Sequence, residues 1–414
     1  MKVLGFATYP IARPRQGGQL RVSAIARTYR EAGLEHRHIG VYNAANYAGP
    51  FVAAWDVPFA PDHSPILGGW VLNDLRAGLF AAEDAATFAR IRATFTEFAP
   101  DAFQLEQPWC WPVVKRLLAE TGSIVPRIIY SAHNIEAPMK RDALRAYGLP
   151  GEEEVHRSVL ALETELAGAA DIVLAVTEAD AAALLAMGAK AVHVLPNGID
   201  AKAASAAALE SRRASLGADP FALFVGSAHP PNALGFMAML GPALAFLPPD
   251  RSVVVVGGVQ DILPNDEGFR LWDGINRSRT RFAGIVDAGD LAAIIALAQV
   301  IILPITEGGG SNIKTAEALY SGCYVVGTSL AFRGFERFIG LPGVFREDEP
   351  AEFKRRLAAL LEAPPPPPAS EADNALRREL LWSSTLASLP GLARSLTGNA
   401  TTERRAWSPS YPSP

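Results

Sequence analysis

The feature that most constrains the fold is the stretch 300–319, which reads VIILPITEGGGSNIKTAEAL. Val300 to Ile305 is an almost unbroken apolar run, which is typical of a strand buried on both faces of a parallel sheet. Three glycines follow at 308–310, and their backbone can approach a ligand without a Cβ in the way. Ser311 is the expected N-cap of a helix that runs to about Ser321. Free N–H groups and the positive end of the helix dipole converge there, so the stretch predicts an anion-binding site.

Two charged residues on this helix sharpen the prediction. Lys314 falls in the first helical turn, where the dipole disfavours a cation unless an anion lies nearby. Glu317 lies one turn further on, beside the apolar stripe of the helix. A cation and a carboxylate on one edge of a helix suit a ligand with phosphates at one end and hydroxyl groups at the other. The alternative is a surface Lys–Glu pair beside a flexible loop.

The whole chain alternates short apolar strands with helices, which predicts parallel sheets covered by helices on both faces. The series starts afresh once, so we expect an α/β protein of two doubly wound, Rossmann-like domains. The first spans 1–200 and the second 201–362. A polyproline spacer and a helix at 363–396 are expected to cross back to the first domain, and 397–414 is expected to be a disordered tail. Residues 43–78 predict one long irregular segment.

Composition excludes several classes of function. The formal net charge is -5 with both signs interspersed, which argues against nucleic acid as a partner. The two cysteines, Cys110 and Cys323, lie in apolar contexts and are expected to be buried thiols. No apolar run approaches the ~20 residues of a membrane-spanning helix. We therefore expect a soluble, cytoplasmic protein and leave peripheral contact with the inner face of a membrane open.

Several motifs are absent from the sequence. No group of His and carboxylate residues has metal-ligand spacing, so neither a bound metal nor another cofactor is expected. No G-x-G-x-x-G follows the first strand, and no P-loop or G-x-S-x-G occurs. These absences argue against a nicotinamide enzyme, a P-loop nucleotidase and a serine hydrolase of the α/β-hydrolase kind.

Other candidates lie at strand ends in the first half of the chain. Gly17 and Gly18 form the loop between the first strand and the first helix, where they either contact a ligand or only make a turn. His133 follows a buried strand at its carboxyl end, which is where open parallel sheets place ligands. Three tryptophans form either an acceptor platform for sugar rings or part of the core: Trp55, Trp109 and Trp111.

Taken together, these motifs resemble the retaining glycosyltransferases of family 4 (group 1), which have the GT-B fold. The resemblance covers the chain up to about Leu396. It is carried by Gly17-Gly18, Ser131 to Asn134, Leu195 to Asp200, Phe224 to Ser227 with Asn232, Phe282 to Gly284, and Gly308 to Leu319 with Gly322 and Val325-Val326.

The resemblance implies a fold of two Rossmann-like domains facing across a cleft. It also implies a nucleotide-diphosphate sugar as co-substrate, without a metal, and a glycan, glycolipid or other hydroxyl acceptor; it does not fix the oligomeric state. Glu317 would hold the ribose hydroxyls, and His133 would lie beside the donor sugar. Gly284 and Ile285 would contact the base. The residues implied for the diphosphate are Gly309, Gly310, Ser311 and Asn312 from the second domain, with Gly17 and Gly18 from the first.

The chain departs from the family pattern at two places. The earlier glutamate of the family falls at Gly309, and the nearest carboxylate is Glu307. Ser227 and Asn232 stand where an Arg and a Lys often meet the phosphates, and Lys314 would supply the missing charge. We therefore assign catalytic roles to His133, Lys314 and Glu307, and donor contacts to Ser227 and Asn232. The alternatives are a catalytically silent nucleotide-sugar-binding subunit of a polysaccharide-assembly complex, and an epimerase or phosphorylase of the same fold.

Overall fold

The computed structural model describes residues 1–60, 69–120 and 126–398. The chain divides into two compact units, of which the first holds residues 1–196 together with the chain from 385 onward, and the second holds 197–384. Each unit is built around one parallel sheet with helices. The prediction of two doubly wound domains is thus confirmed.

The first unit contains a seven-stranded sheet in the order β3-β2-β1-β4-β5-β6-β7. Every neighbouring pair is parallel, with Val3 of β1 opposite His36 of β2 on one side and Ala102 of β4 on the other. The strands are β1 (Lys2–Ala7), β2 (Glu35–Asn43), β3 (Val57–Phe59), β4 (Ala102–Glu106), β5 (Arg127–Ser131), β6 (Ile172–Ala175) and β7 (Val192–Val194).

Helices cover the first sheet because parallel strands need crossover connections, and these bury both faces. They are α1 (Gly17–Glu31), α2 (Asn73–Glu83), α3 (Ala85–Phe98), α4 (Trp111–Glu120), α5 (Glu136–Ala146), α6 (Glu152–Ala169) and α7 (Glu178–Ala186). The core packs aromatic and branched side chains of the sheet against these helices, with Phe6, Phe103 and Tyr130 fully buried.

The second unit contains a six-stranded sheet in the order β10-β9-β8-β11-β12-β13, and all of its paired strands are parallel. Its elements begin with α8 (Ala206–Leu216), β8 (Phe221–Val225), α9 (Pro230–Leu240), β9 (Ser252–Val256), α10 (Glu267–Leu271), α11 (Asp273–Arg279) and β10 (Thr280–Gly284). They continue with α12 (Ala288–Leu297), β11 (Val300–Leu303), α13 (Ile313–Ser321), β12 (Tyr324–Gly327), β13 (Val344–Arg346) and α14 (Pro350–Glu362).

Three short helices end the described chain, where the sequence predicts a single helix. They are α15 (Glu371–Arg378), α16 (Trp382–Thr385) and α17 (Leu389–Gly398). Between α15 and α16 the backbone pairs with Ile199, whose N–H donates to Leu380 and whose carbonyl accepts from Trp382, both at 2.9 Å. α17 belongs to the first unit, where Arg394 donates to the carbonyl of Ala32. The tail predicted to be disordered lies, from residue 399 on, outside the described residues.

Two local predictions are wrong. The segment 43–78 is not one irregular stretch, because β3 pairs in register with β2 and α2 begins at Asn73; its residues 61–68 lie outside the described part of the chain. The strand after α12 ends at Leu303 rather than Ile305, because Pro304 has no N–H to donate to the sheet. Both cysteines are free; Cys110 is buried and Cys323 is half-buried.

Candidate functional site

A glycine loop joins the end of β11 to α13, as the sequence predicts. Gly308 has a φ of 121° and Gly310 a φ of 59°, a left-handed region that other residues rarely adopt. The helix begins at Ile313, and its N-cap is Asn312, without a side-chain capping bond. The expectation that Ser311 is the N-cap is therefore wrong: the loop is one residue longer.

The carbonyl groups of this loop are held by two side chains that lie far away in the sequence. Arg333 donates from Nε to the carbonyl of Gly310 (2.6 Å) and from its terminal NH₂ to that of Gly308 (2.9 Å). Asn197 donates from Nδ2 to the carbonyl of Ser311 (2.9 Å) and to its Oγ (3.1 Å). Within the described parts of the chain, no N–H group from Gly308 to Asn312 has an acceptor. The carbonyls of Gly308, Gly310 and Ser311 are thus hydrogen-bonded, whereas the N–H groups of the loop remain available to a ligand.

Lys314 lies in the first turn of α13 and reaches across to the first turn of α9. Its Nζ donates to Oδ1 of Asn232 at 2.7 Å, and Nδ2 of Asn232 donates to the carbonyl and Oγ of Ser227 at 3.1 and 3.2 Å. Lys314 forms no ion pair with any described residue, and burial lowers the pKa of its ammonium group to about 8. The structure thus brings together two predicted donor contacts, Ser227 and Asn232, and one residue with a predicted catalytic role, Lys314.

The close approach of α9 to the end of β11 makes this contact feasible. A Cβ on Gly235 of α9 would lie only 2.1 Å from the carbonyl oxygen of Pro304, so any side chain there would push the helix away. Gly235 therefore sets the distance across which Asn232 meets Lys314. Sequence reasoning missed this glycine, because nothing local marks a contact with a residue so distant in the chain.

Glu317 and Lys314 line the same small pocket. The apolar part of its lining comes from Leu223 and Val225 of β8, Ile301, Ile302 and Leu303 of β11, Ile295 and Ala318. Burial raises the pKa of the Glu317 carboxyl, and the positive charge of Lys202 opposes that effect. No hydrogen bond joins Glu317 to the described residues. The pocket thus has one cation and one carboxylate in an otherwise apolar lining.

The remaining candidates of the second unit lie at loop ends. Gly284 ends β10 with a φ of 79°, and its carbonyl accepts from the N–H of Gly257 at 2.8 Å. Ile285 follows it and is 81% exposed. Glu307 is exposed and makes no hydrogen bond or ion pair with the described residues. The structure therefore gives Glu307 no fixed orientation.

In the first unit, His133 ends a buried chain of hydrogen bonds. The side chains of Tyr29, Gln104, Glu106 and His133 are linked in that order, with 2.9 Å between Oε2 of Glu106 and Nε2 of His133. Burial alone would raise the pKa of Glu106, but the hydrogen bond and charge of His133, together with the hydrogen bond from Gln104, lower it overall. An ionised carboxylate only accepts, so Nε2 of His133 carries the proton.

Gly17 and Gly18 open α1, beside this histidine. The helix has a capping box between Gln16 and Gln19. A Cβ on Gly18 would lie 2.9 Å from Oη of Tyr9 and 3.7 Å from Nδ1 of His133. Gly18 is therefore needed for packing against Tyr9, whatever ligand it also contacts. Sequence reasoning singled out neither Tyr9 nor Glu106, although Glu106 ends an apolar strand and Tyr9 lies two residues beyond the end of one.

The three candidate tryptophans differ in burial. Trp109 and Trp111 are fully buried and belong to the core, so they form no acceptor platform. Trp55 is 37% exposed and stacks with Arg37.

Among the described residues, no group of three or more His, Cys, Asp or Glu is placed to hold a metal ion. No helix in the described ranges is both long and apolar enough to cross a membrane.

Comparison with known protein families gives two matches that follow one another along the chain. Residues 16–198 match the glycosyl transferase 4-like domain, and residues 219–363 match the glycosyl transferases group 1. The second match contains Ser227, Asn232, the glycine loop, Lys314 and Glu317. No curated protein sequence matches the chain.

Solved structures share the fold over nearly the whole chain. A sucrose-phosphate synthase from Thermosynechococcus elongatus has a TM-score of 0.69 at 15% identity, over 96% of this chain and 99% of that one. HepE from Anabaena, solved in complex with UDP and glucose, has a TM-score of 0.64 at 17% identity, over 96% and 100%. An α,α-trehalose 6-phosphate synthase from Burkholderia multivorans has 0.61 at 16%, over 99% of each chain. At these identities the likeness establishes a common fold.

Proposed function

Since this chain has the GT-B fold and belongs to the glycosyl transferases of group 1, we propose that it transfers a sugar from a UDP- or GDP-sugar to a hydroxyl acceptor. The proposal includes retention of the anomeric configuration and a glycan or glycolipid acceptor of cell-surface assembly, met at the cytoplasmic face of the membrane. HepE, a protein of the same fold, was solved with UDP-glucose, so uridine donors come first in any test.

One observation carries the proposal: a half-buried cation lies next in the chain to several backbone donors, and no described carboxylate pairs with it. Lys314 forms no ion pair with any described residue, and burial lowers its pKa. The N–H groups from Gly308 to Asn312 lie within two to six residues of it in the chain and have no acceptor among the described residues. A diphosphate carries the negative charge that would pair with Lys314 and the acceptor oxygens that would bind the N–H groups.

The other parts of the donor have partners on the same unit. Glu317, on the same helix as Lys314 and beside the same small pocket, offers a carboxylate to the ribose hydroxyls. Gly284 and Ile285 offer backbone groups and an exposed apolar side chain to the base. In keeping with the family resemblance, we propose that Gly17 and Gly18 contact the diphosphate and that His133 lies beside the donor sugar.

The chemical step breaks the bond between the anomeric carbon and the β-phosphate oxygen, and forms a bond from that carbon to the acceptor oxygen. The proton of the acceptor hydroxyl goes to the departing phosphate oxygen. Negative charge grows on the β-phosphate as the sugar leaves, and Lys314 and the loop N–H groups stabilise it. Because these groups supply the charge, we propose that turnover needs no metal and survives a chelator.

Thermal unfolding in the presence of UDP, GDP and ADP tests the donor. A ligand that binds only the native chain raises the melting temperature by mass action. One nucleotide is expected to raise it clearly more than the others, and its sugar conjugates are then assayed for nucleotide release. If none of the three nucleotides raises the melting temperature, the proposal is contradicted. Binding without release on any acceptor favours a catalytically silent subunit, as does the loose placement of Glu307.

A further inference from the structure

The segment that follows β12 contacts the end of β11, the glycine loop and α13. Oγ1 of Thr328 donates to the carbonyl of Ile305 just before the loop, and Oγ1 of Thr315 on α13 donates to the carbonyl of Ala331 at 2.8 Å. Between these two contacts, Arg333 binds the carbonyls of Gly308 and Gly310. One short segment, 328–333, thus contacts the backbone before, within and after the glycine loop.

This segment is itself anchored in the core. Ala331 and Phe332 are fully buried. A Cβ on Gly327 would lie 3.1 Å from the ring of Phe332, so the end of β12 and the segment pack in close contact. The guanidinium of Arg333 therefore projects from a rigid base, whereas three glycines without side chains give the loop little rigidity of its own.

We infer that Arg333 is a positioning residue for the diphosphate: by binding the carbonyls of Gly308 and Gly310 from one side, it fixes the loop so that its N–H groups stay available as donors. This inference rests on the proposed function, since the anion is that of the nucleotide sugar. A guanidinium suits the role because its planar fork reaches two acceptors at once, whereas a lysine ammonium is a single point charge.

The inference also gives a role to a second cation, Arg333, which binds the carbonyl groups of the loop. A peptide unit whose carbonyl is bound by a cation is more strongly polarised, so its N–H is a better donor to an anion. Arg333 would thus increase anion binding through the peptide units without contacting the ligand, whereas Lys314 would contact it directly.

The test compares the affinities of a nucleoside diphosphate and its monophosphate by calorimetry, using UDP with UMP and GDP with GMP. Arg333→Met keeps the apolar stem and removes the fork, and Arg333→Lys keeps the charge alone. Arg355→Met is the matched control, because Arg355 is an exposed arginine of the same unit that pairs with Glu352. The readout is the ratio of the two affinities, which a uniform loss of folded protein leaves unchanged.

For Arg333→Met we expect the preference for the diphosphate to fall by at least about fivefold, and Arg333→Lys to recover little of it. The control is expected to keep the ratio of the original chain. An unchanged ratio in Arg333→Met overturns this inference alone, as does full recovery in Arg333→Lys. If the unaltered chain binds none of the four nucleotides, the proposed function fails, and this inference fails with it.

Discussion

The ammonium group of Lys314 and the amide oxygen of Asn232 are 2.7 Å apart, although 82 residues separate them in the chain. The contact joins the first turns of α13 and α9. It gives the ammonium an oriented, uncharged partner rather than a carboxylate. A neutral acceptor holds the cation in place and leaves its charge uncompensated, which is what a binding site for an anion needs.

The first prediction replaces that neutral acceptor with a charged one of the same shape. Asn232→Asp would place a carboxylate beside Lys314, raise the pKa of the ammonium group and compensate its charge. Affinity for the nucleoside diphosphate is expected to fall at least about tenfold, since a charge pair at this distance is worth more than 1.4 kcal/mol in a partly buried site.

Asn265→Asp is the matched control for that substitution, because Asn265 is an exposed asparagine of the same unit that donates to the carbonyl of Asp261. It is expected to change the affinity less than about twofold, as exposed charges do. Calorimetric titration with UDP or GDP measures both variants. Equal affinities in the two variants would show that Lys314 does not meet the anion.

The site could be predicted from the sequence where its determinants are local. An apolar run, three glycines and an amphipathic helix follow one another directly, so their order alone predicts the loop. Asn197 and Arg333, which hold that loop, lie 114 and 23 residues from their partners, and no local pattern marks such contacts. The N-cap was misplaced by one residue, because Ser and Asn are equally good caps and stand side by side at 311 and 312.

In the first unit the sequence predicts the strands and the location of His133, but not its environment. The order of strands in the sheet places β4 beside β5, which brings Glu106 next to the loop after Ser131. That pairing is a property of the topology. Trp109 and Trp111 show the converse error, since aromatic residues after a strand predict a ligand platform and a packed core equally well.

The second prediction concerns pH. Because burial lowers the pKa of Lys314 to about 8, the ligand-free chain loses this proton as the pH rises through about 8. Under the proposed function a diphosphate binds the protonated form, so its affinity is expected to fall above that pH, towards about tenfold per pH unit. Lys314→Arg is expected to bind with little change between about pH 7 and about pH 9, because a guanidinium stays charged there. Parallel pH profiles for the two proteins would rule out titration of Lys314.

The third prediction tests the proposed contact between Glu317 and the ribose by changing protein and ligand together. UDP and 2′,3′-dideoxy-UDP are titrated into the original chain and into Glu317→Gln. The original chain is expected to prefer the nucleotide with hydroxyls at least about tenfold, and the variant to lose most of that preference. Glu371→Gln, an exposed carboxylate of the same unit, serves as control. An undiminished preference in Glu317→Gln would place the ribose elsewhere.

The fourth prediction concerns the stability of the first unit, where the half-buried His36 and the buried Glu163 act in opposite directions. Burial lowers the pKa of His36 from 6.5 to about 3, so the native state excludes a proton that the unfolded chain binds. That contribution is present above about pH 6.5 and is lost as the pH falls. Burial raises the pKa of Glu163 from 4.5 to about 7, so the native state retains a proton, and this contribution is lost as the pH rises from 4.5 to 7.

Between about pH 4.5 and pH 6.5 the two slopes oppose each other, each with a limit of about 1.4 kcal/mol per pH unit. Removing one group should therefore reveal the contribution of the other group to the pH dependence of stability. His36→Gln is expected to make the free energy of unfolding fall with rising pH relative to the original chain. Glu163→Gln, which removes the titrating group and keeps one acceptor oxygen for the N–H groups of Glu136 and Ala137, is expected to make it rise. Urea unfolding at several pH values in this window measures both differences. Two variants that follow the same pH dependence would show that neither group is held in its buried protonation state.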